Sequence, residues 1–440
     1  MQKSLKETVF RSFHSNFRYS EYIDLEALDR WVEFLCREES PKRGAEIYLG
    51  QPDLPPHSGP VQLMDYQEEV ARKAYKECTN GCSSLISLPT GAGKTVTAAH
   101  LVLDLFKSGL RRILWLAPQT LLLEQARSEV RRTWWSERRE IGIYFGKQLT
   151  TAESSAQNEN ELRLVFDTLQ MQVRKEFKGW LPEVVVVDEC HHIESNEFGA
   201  VLDRYQQNGA ICVGLSATPG RTKESEQDLL MRRFGNNLIT PDMFGTDPVG
   251  YLTSAGVYSC IQRHKLVPKS LSDAEIARTI KGRRLRAKAA SNSPGRLDAT
   301  IEFLKSRDEC SGTIVFAYSI AHAHILAAAA HTQGLMVAVV DSRSKVELNE
   351  LRIQLFKSGE IDVLINVKYV AVGADMPSAK TAILTTPIGS PILFEQIIGR
   401  VCRGPLVGGT KEASVCEFDS HFKRFGGAKS YSRFAENWIN

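Results

Sequence analysis

Three places in the chain carry residue types and spacings suited to chemistry. In the first, Thr90-Gly91-Ala92-Gly93-Lys94-Thr95 follows a short apolar stretch and precedes the amphipathic run Val96 to Phe106. Gly91 and Gly93 can take backbone angles that a Cβ forbids, so consecutive N–H groups can turn inward while the next helix presents its positive end to the same point. That is a cradle for a polyphosphate, with Lys94 as a point charge for the outer phosphates and the Thr95 hydroxyl as a ligand of the accompanying magnesium ion. Strict spacing asks for a glycine at position 88, where this chain has Leu88, and a plain glycine-rich turn before a helix is the competing reading. The second place is Val184-Val185-Val186-Val187 running into Asp188-Glu189. A β-branched run closing on two carboxylates reads as a buried parallel strand that delivers negative charge to the C-terminal edge of a sheet. Two acids there suit a hydrolytic magnesium site. The next residues, Cys190, His191 and His192, are consecutive and cannot converge on one ion from a single strand end, which excludes zinc. The third place is Gln396 to Arg403, where Arg400 and Arg403 have the spacing of neighbours on one helical face. From residue types alone, a surface ion pair explains those two arginines as readily as a phosphate contact.

The loop and the acidic strand end together resemble superfamily 2 helicases and translocases, from about residue 61 to about residue 420. Within that superfamily the chain is most similar to the group holding the motor subunits of type I and type III restriction enzymes and the repair helicase XPB. That group commonly carries a Pro-Thr-Gly-x-Gly-Lys-Thr loop without the first glycine, so Leu88 agrees with the resemblance. The resemblance implies ATP and Mg2+ as cofactors. Thr90, Gly91, Ala92, Gly93, Lys94 and Thr95 would hold the nucleotide, Thr95 and Asp188 the metal, and Glu189 would polarise the attacking water. Gln67, in Leu63-Met64-Asp65-Tyr66-Gln67, would read adenine with its carboxamide, although any surface helix can contain Tyr-Gln. His191 would couple the acids to Ser216 and Thr218 of Gly214-Leu215-Ser216-Ala217-Thr218-Pro219. Pro118, Thr120, Gln125 and Thr168 would lie along a nucleic-acid strand. Gly373 and Asp375 would touch the ribose and the strand, while Gln396, Arg400 and Arg403 complete the catalytic set, the arginines as fingers on the γ-phosphate. The activity implied is nucleic-acid-stimulated ATP hydrolysis that drives movement on, or remodelling of, nucleic acid, with DNA favoured over RNA. A nucleic-acid-gated ATP switch that recruits an effector, and an RNA helicase, are the alternatives.

Positioning these residues requires two α/β domains, which the resemblance identifies as tandem RecA-like domains, each a parallel sheet covered by helices. The expected division is an accessory segment at 1–60, a first domain at 61–225, a connector at 226–295 and a second domain at 296–440. In the second domain, strands are expected at Thr313 to Ala317, Met336 to Val340, Val363 to Asn366, Ala382 to Thr385 and Val415 to Phe418. Leu25, Leu28, Trp31, Val32 and Leu35 form a helical apolar stripe in the accessory segment, fit for packing on the core or docking a partner. Prolines at 52, 55, 56 and 60 mark the boundary after it. Arg127, Arg131, Arg132, Trp134, Trp135, Arg138 and Arg139 suit either a strand-binding surface or a solvated helix face. The basic cluster at Lys281, Arg283, Arg284, Arg286 and Lys288 is similarly open.

Bulk properties set the outer limits. At 440 residues and 42% hydrophobic content, the chain is long enough for two or three domains with their own cores. No apolar run reaches spanning length and the N-terminus lacks a signal-peptide core, so a soluble cytoplasmic protein is expected. Nine cysteines without paired spacing read as reduced thiols. A net charge of +3 does not announce a nucleic-acid binder, so any phosphate groove must come from local charge. The stretches before and after the motor pattern leave no room for a nuclease, so cleavage or effector function is expected from a partner protein, in DNA repair or antiviral defence.

Overall fold

A computed structural model of the chain describes residues 62–134, 142–145, 162–174, 181–192, 196–220, 224–268, 293–306, 311–367, 379–388, 391–401 and 403–418. The accessory segment, the basic cluster at 281–288, the Trp135 to Arg139 stretch, Gly373 and Asp375 lie outside those residues. The chain divides into two compact units, with the change between Leu252 and Thr253.

The N-terminal unit runs α1 (Asp65–Thr79), β1 (Ser84–Ser87), α2 (Lys94–Lys107), β2 (Arg112–Ala117), α3 (Thr120–Trp134), β3 (Gly142–Phe145), β4 (Arg163–Thr168), α4 (Leu169–Arg174), β5 (Val184–Val187), α5 (Asn196–Gln207), β6 (Ile211–Ser216), α6 (Glu224–Arg233) and β7 (Leu238–Ile239). Its seven strands lie in the order β3-β4-β2-β5-β6-β1-β7, all parallel. Continuous apolar strands are what such a sheet demands, since helices cover both faces. All four valines of β5 are fully buried, and Trp115 on β2 packs against Phe166 on β4 at 5.9 Å between ring centroids. Leu88 is fully buried too, and its N–H reaches Ser216 O at 3.3 Å. A glycine there would leave part of the core unfilled.

After β7, a 3-10 turn at Asp242–Phe244 and helix α7 (Pro248–Ser254) follow. The turn and the start of α7 pack on α1, with Tyr66 against Phe244 at 5.2 Å and Tyr251 at 6.4 Å. Lys73 Nζ pairs with both Glu69 and Asp242 at 2.6 Å.

The C-terminal unit continues with β8 (Cys260–Lys265), α8 (Pro294–Lys305), β9 (Thr313–Phe316), α9 (Ile320–Thr332), β10 (Val337–Asp341), α10 (Val346–Ser358), β11 (Val363–Val367), β12 (Thr381–Leu384), α11 (Pro391–Val401) and β13 (Glu412–Glu417). Its six strands are ordered β10-β11-β9-β12-β13-β8, again all parallel. Helix α9 has no broad polar face because Ala323 and Ile325 to Ala330 are all buried in this unit's core. Within the stretch expected as a connector, 226–295, the described residues include most of α6 and all of β7, with β7 at an edge of the first sheet, and β8 at an edge of the second. Two physical features hid these strands. β7 is only two residues long, and β8 is an edge strand with five of its six residues exposed, so neither carries the apolar run of a central strand.

Candidate active site

The chemistry-bearing residues of the N-terminal unit gather on the C-terminal edge of its sheet, because every strand is parallel and points that way. The β1–α2 loop takes left-handed backbone at Gly91, φ +91°, and Gly93, φ +84°. A Cβ on Gly93 would collide with the Gln67 amide, so this position needs glycine for both angle and space. No side chain caps the N-terminus of α2, which leaves its first-turn N–H groups to an anion. Lys94 is 8% exposed and has no salt-bridge partner among the described residues. The Thr95 hydroxyl likewise makes no hydrogen bond within them. A buried ammonium and an uncapped helix start fit a polyphosphate, and a hydroxyl on the first turn of that helix fits its divalent cation.

Two strands away, β5 delivers Asp188 and Glu189. Asp188 is 3% exposed, and its carboxylate accepts one hydrogen bond, from Glu189 N at 2.9 Å. Burial, then the neighbouring Glu189 charge, pushes the Asp188 carboxyl up to about 7, while the Lys94 charge pulls the other way. Glu189 has φ +47°, a strained value for a residue with a Cβ. Nothing in residue type signalled that angle.

His191 Nδ1 lies 3.2 Å from Ser216 Oγ and also 3.2 Å from Glu189 Oε2. Ser216 Oγ donates to Thr218 O at 2.8 Å and accepts from Thr218 N at 3.1 Å. With the hydroxyl proton committed to Thr218 O, the contact to His191 requires the proton on Nδ1. The structure therefore brings Glu189, His191, Ser216 and Thr218 into one line across neighbouring strand ends.

Gln67 is held by partners within the N-terminal unit. Its Nε2 donates to Ala92 O at 3.0 Å and to Tyr66 Oη at 3.3 Å, and its Oε1 accepts from Met64 N at 3.0 Å. Tyr66 Oη also donates to Ala92 O, at 2.9 Å. The carboxamide is thus turned onto the phosphate loop and onto the start of its own helix. Sequence reasoning missed Tyr66 as a loop contact, and its adjacency to Gln67 was the available signal.

Pro118 and Thr168 lie at the ends of the adjacent strands β2 and β4, Thr120 opens α3 and Gln125 lies within it. Thr120 is exposed and the other three are half-buried. Gln170 Nε2 donates to Pro118 O at 3.0 Å and ties the two strand ends together. Arg132 pairs with Glu129 at 2.7 Å and Arg127 approaches Glu124 at 3.7 Å, both on α3 itself, as a solvated helix face would.

In the C-terminal unit, Gln396 and Arg400 are buried on α11. Arg403 corrects the helical-face expectation. The helix ends at Val401, and Arg403 forms an isolated antiparallel bridge with Tyr258. Gly404 and Pro405 follow, and such a pair withdraws the local preference for helix.

Two family models match the chain, Type III restriction enzyme, res subunit, over residues 60–221 and Helicase conserved C-terminal domain over residues 295–404. The chain belongs to superfamily 2 of the helicases and translocases. Its relatives include the Saccharomyces cerevisiae protein IRC3, named as an ATP-dependent helicase, 24% identical over 364 residues covering 79% of this chain and 50% of IRC3. The DNA 3'-5' helicase XPB of Kineococcus radiotolerans is 26% identical over 360 residues, 78% of this chain and 57% of that protein. This superfamily 2 chain therefore spans about half the length of these curated relatives. Among solved structures, a fragment described as an HsdR subunit of a type I restriction enzyme from Vibrio vulnificus matches the superfamily 2 fold with a TM-score of 0.60. The match has 22% identity and covers 90% of this chain and 71% of that one. Among the described residues, no helix is long and apolar enough to cross a membrane.

Proposed function

We propose that the chain is an ATP-dependent motor that moves on or remodels DNA. One observation carries this reading: a buried Lys94 with no salt-bridge partner among the described residues opens an uncapped helix and shares a sheet edge with Asp188 and Glu189, and Glu189 is linked through His191 to Ser216. Bound ATP and Mg2+ would supply the scissile phosphoanhydride and its counter-charge. Lys94 and the loop N–H groups would hold the phosphates, Thr95 and Asp188 the cation, and Glu189 would take a proton from the attacking water. His191 shares its Nδ1 environment between Glu189 and Ser216, so a change of charge at the acid is felt at the end of β6. Arg400 and Arg403 are assigned the arginine-finger role, and Pro118, Thr120, Gln125 and Thr168 the backbone-tracking contacts to a strand.

Names among the relatives, a DNA 3'-5' helicase and the endonuclease subunit of a type I restriction enzyme of Escherichia coli, favour DNA and a setting in DNA repair or defence, with a nuclease or other effector as protein partner. The first test compares ATP turnover with duplex DNA, single-stranded DNA and RNA. Stimulation by DNA above RNA is expected, and equal or greater stimulation by RNA overturns the DNA assignment. Triplex- or strand-displacement assays then separate movement from switching. DNA-stimulated turnover without displacement would favour a nucleic-acid-gated switch that recruits an effector.

A further inference from the structure

Arg403 stands outside the helix that holds Arg400, so something other than a helical ladder must fix its backbone. That role falls to Gly256 to Ser259, which lies just beyond α7 and leads into β8. Tyr258 bridges Arg403 directly, Gly404 N donates to Val257 O at 2.8 Å, and Leu406 N donates to Gly256 O at 3.1 Å. Thr410 N closes the other side on Arg403 O at 2.9 Å. The packing is close enough that a Cβ on Gly404 would overlap the Gly256 carbonyl, and a Cβ on Gly409 would overlap the Arg403 carbonyl. At the centre sits Ser259, 2% exposed, whose Oγ lies 2.7 Å from Arg403 O and 2.6 Å from Thr410 O. A hydroxyl has one proton, so it is shared between, or alternates between, the Thr410 carbonyl and the Arg403 carbonyl that Thr410 N also reaches.

We propose that Ser259 is a positioning residue for Arg403, and that Gly256 to Ser259 acts as a strap that sets where this guanidinium can reach by gripping its backbone. The inference rests on the arginine-finger reading of Arg403. A finger works only if preorganised, and a displacement on the order of 1 Å can cost about 10²-fold in rate.

The test is a double-mutant cycle on DNA-stimulated ATP turnover, using Ser259→Ala, Arg403→Lys and the pair. Arg403→Lys keeps the charge and loses the planar fork. Ser259→Ala alone should lower kcat on the order of tenfold with the KM for ATP within about twofold. Added to Arg403→Lys, it should lower kcat no further, because its effect runs through the arginine. Equal losses in both backgrounds would mark Ser259 as merely structural and overturn the proposal, as would full kcat in Ser259→Ala beside a loss in Arg403→Lys. Full kcat in Arg403→Lys would take down the finger reading and this inference with it. Ser259→Cys, which keeps a weak donor, serves if the alanine variant melts below assay temperature and should fall between wild type and alanine.

Discussion

Each unit ends one sheet strand on an aspartate that is 3% exposed, Asp188 after β5 and Asp341 closing β10. Their surroundings differ completely. Asp341 accepts from Arg343 N at 2.7 Å, Ser344 N at 3.1 Å and Ser344 Oγ at 3.1 Å, and Asn349 Nδ2 closes on its main-chain oxygen at 2.7 Å. Asp188 receives a single backbone N–H and sits beside a second carboxylate. Equal burial with unequal satisfaction separates the two: Asp341 holds a turn together, and Asp188 keeps a carboxylate with few partners, which fits the cation-binding role proposed for it.

Neutralising the two aspartates in turn breaks or sharpens this contrast most strongly. Asp188→Asn should reduce turnover by at least about 10²-fold while leaving a folded protein. Asp341→Asn should cost stability, about 1–3 kcal/mol from donors left facing a weaker acceptor, with most turnover retained in the cold. Equal activity losses at equal stability would erase the distinction. Glu189→Gln should lower kcat by about 10²–10⁴ with ATP affinity nearly unchanged, whereas Lys94→Ala should weaken ATP binding itself, about 10–100-fold, read with a fluorescent ATP analogue.

The next effect is in pH, and its sign differs between the units. Asp188 has a folded pKa of about 7, above the ordinary 3.8, so it destabilises the ligand-free N-terminal unit as pH rises from about 4 through 7. In the C-terminal unit, burial holds His322 down to about 3 and His324 to about 4. Their neutral forms support the fold fully above 6.5, and that support drains away as pH falls toward those values. Hydrogen exchange from pH 8 to pH 5 should show the C-terminal core losing protection and the ligand-free site edge of the N-terminal unit gaining it. Asp188→Asn should raise the melting temperature at pH 8 by roughly 2–4 °C and give less at pH 5. The smallest expected change is Tyr66→Phe, which removes the Ala92 contact and should cost about 0.5–1.5 kcal/mol, seen as a modest rise in the KM for ATP.

The central strands were legible because burial on both faces forces continuous apolar runs, as in Val184 to Val187. The loop between β1 and α2 was legible because Gly91 and Gly93 are the residues that its left-handed backbone asks for. The edge strand β8 was not, since half its surface faces outward and Cys260 to Lys265 is largely polar. Arg403 was misplaced because helical spacing was carried past the helix end at Val401, just ahead of Gly404 and Pro405. For Gln67, hydrogen bonds to Ala92 and Met64, which no spacing encodes, decide where its carboxamide points.

The left-handed angle at Glu189 bears on how this chain can change over generations. That angle suits glycine or asparagine, so the residue assigned to activate water occupies a spot where either replacement relaxes the backbone. Selection for sturdiness alone would drift toward a better-folded protein that no longer turns over, and only the demand for turnover keeps a carboxylate there.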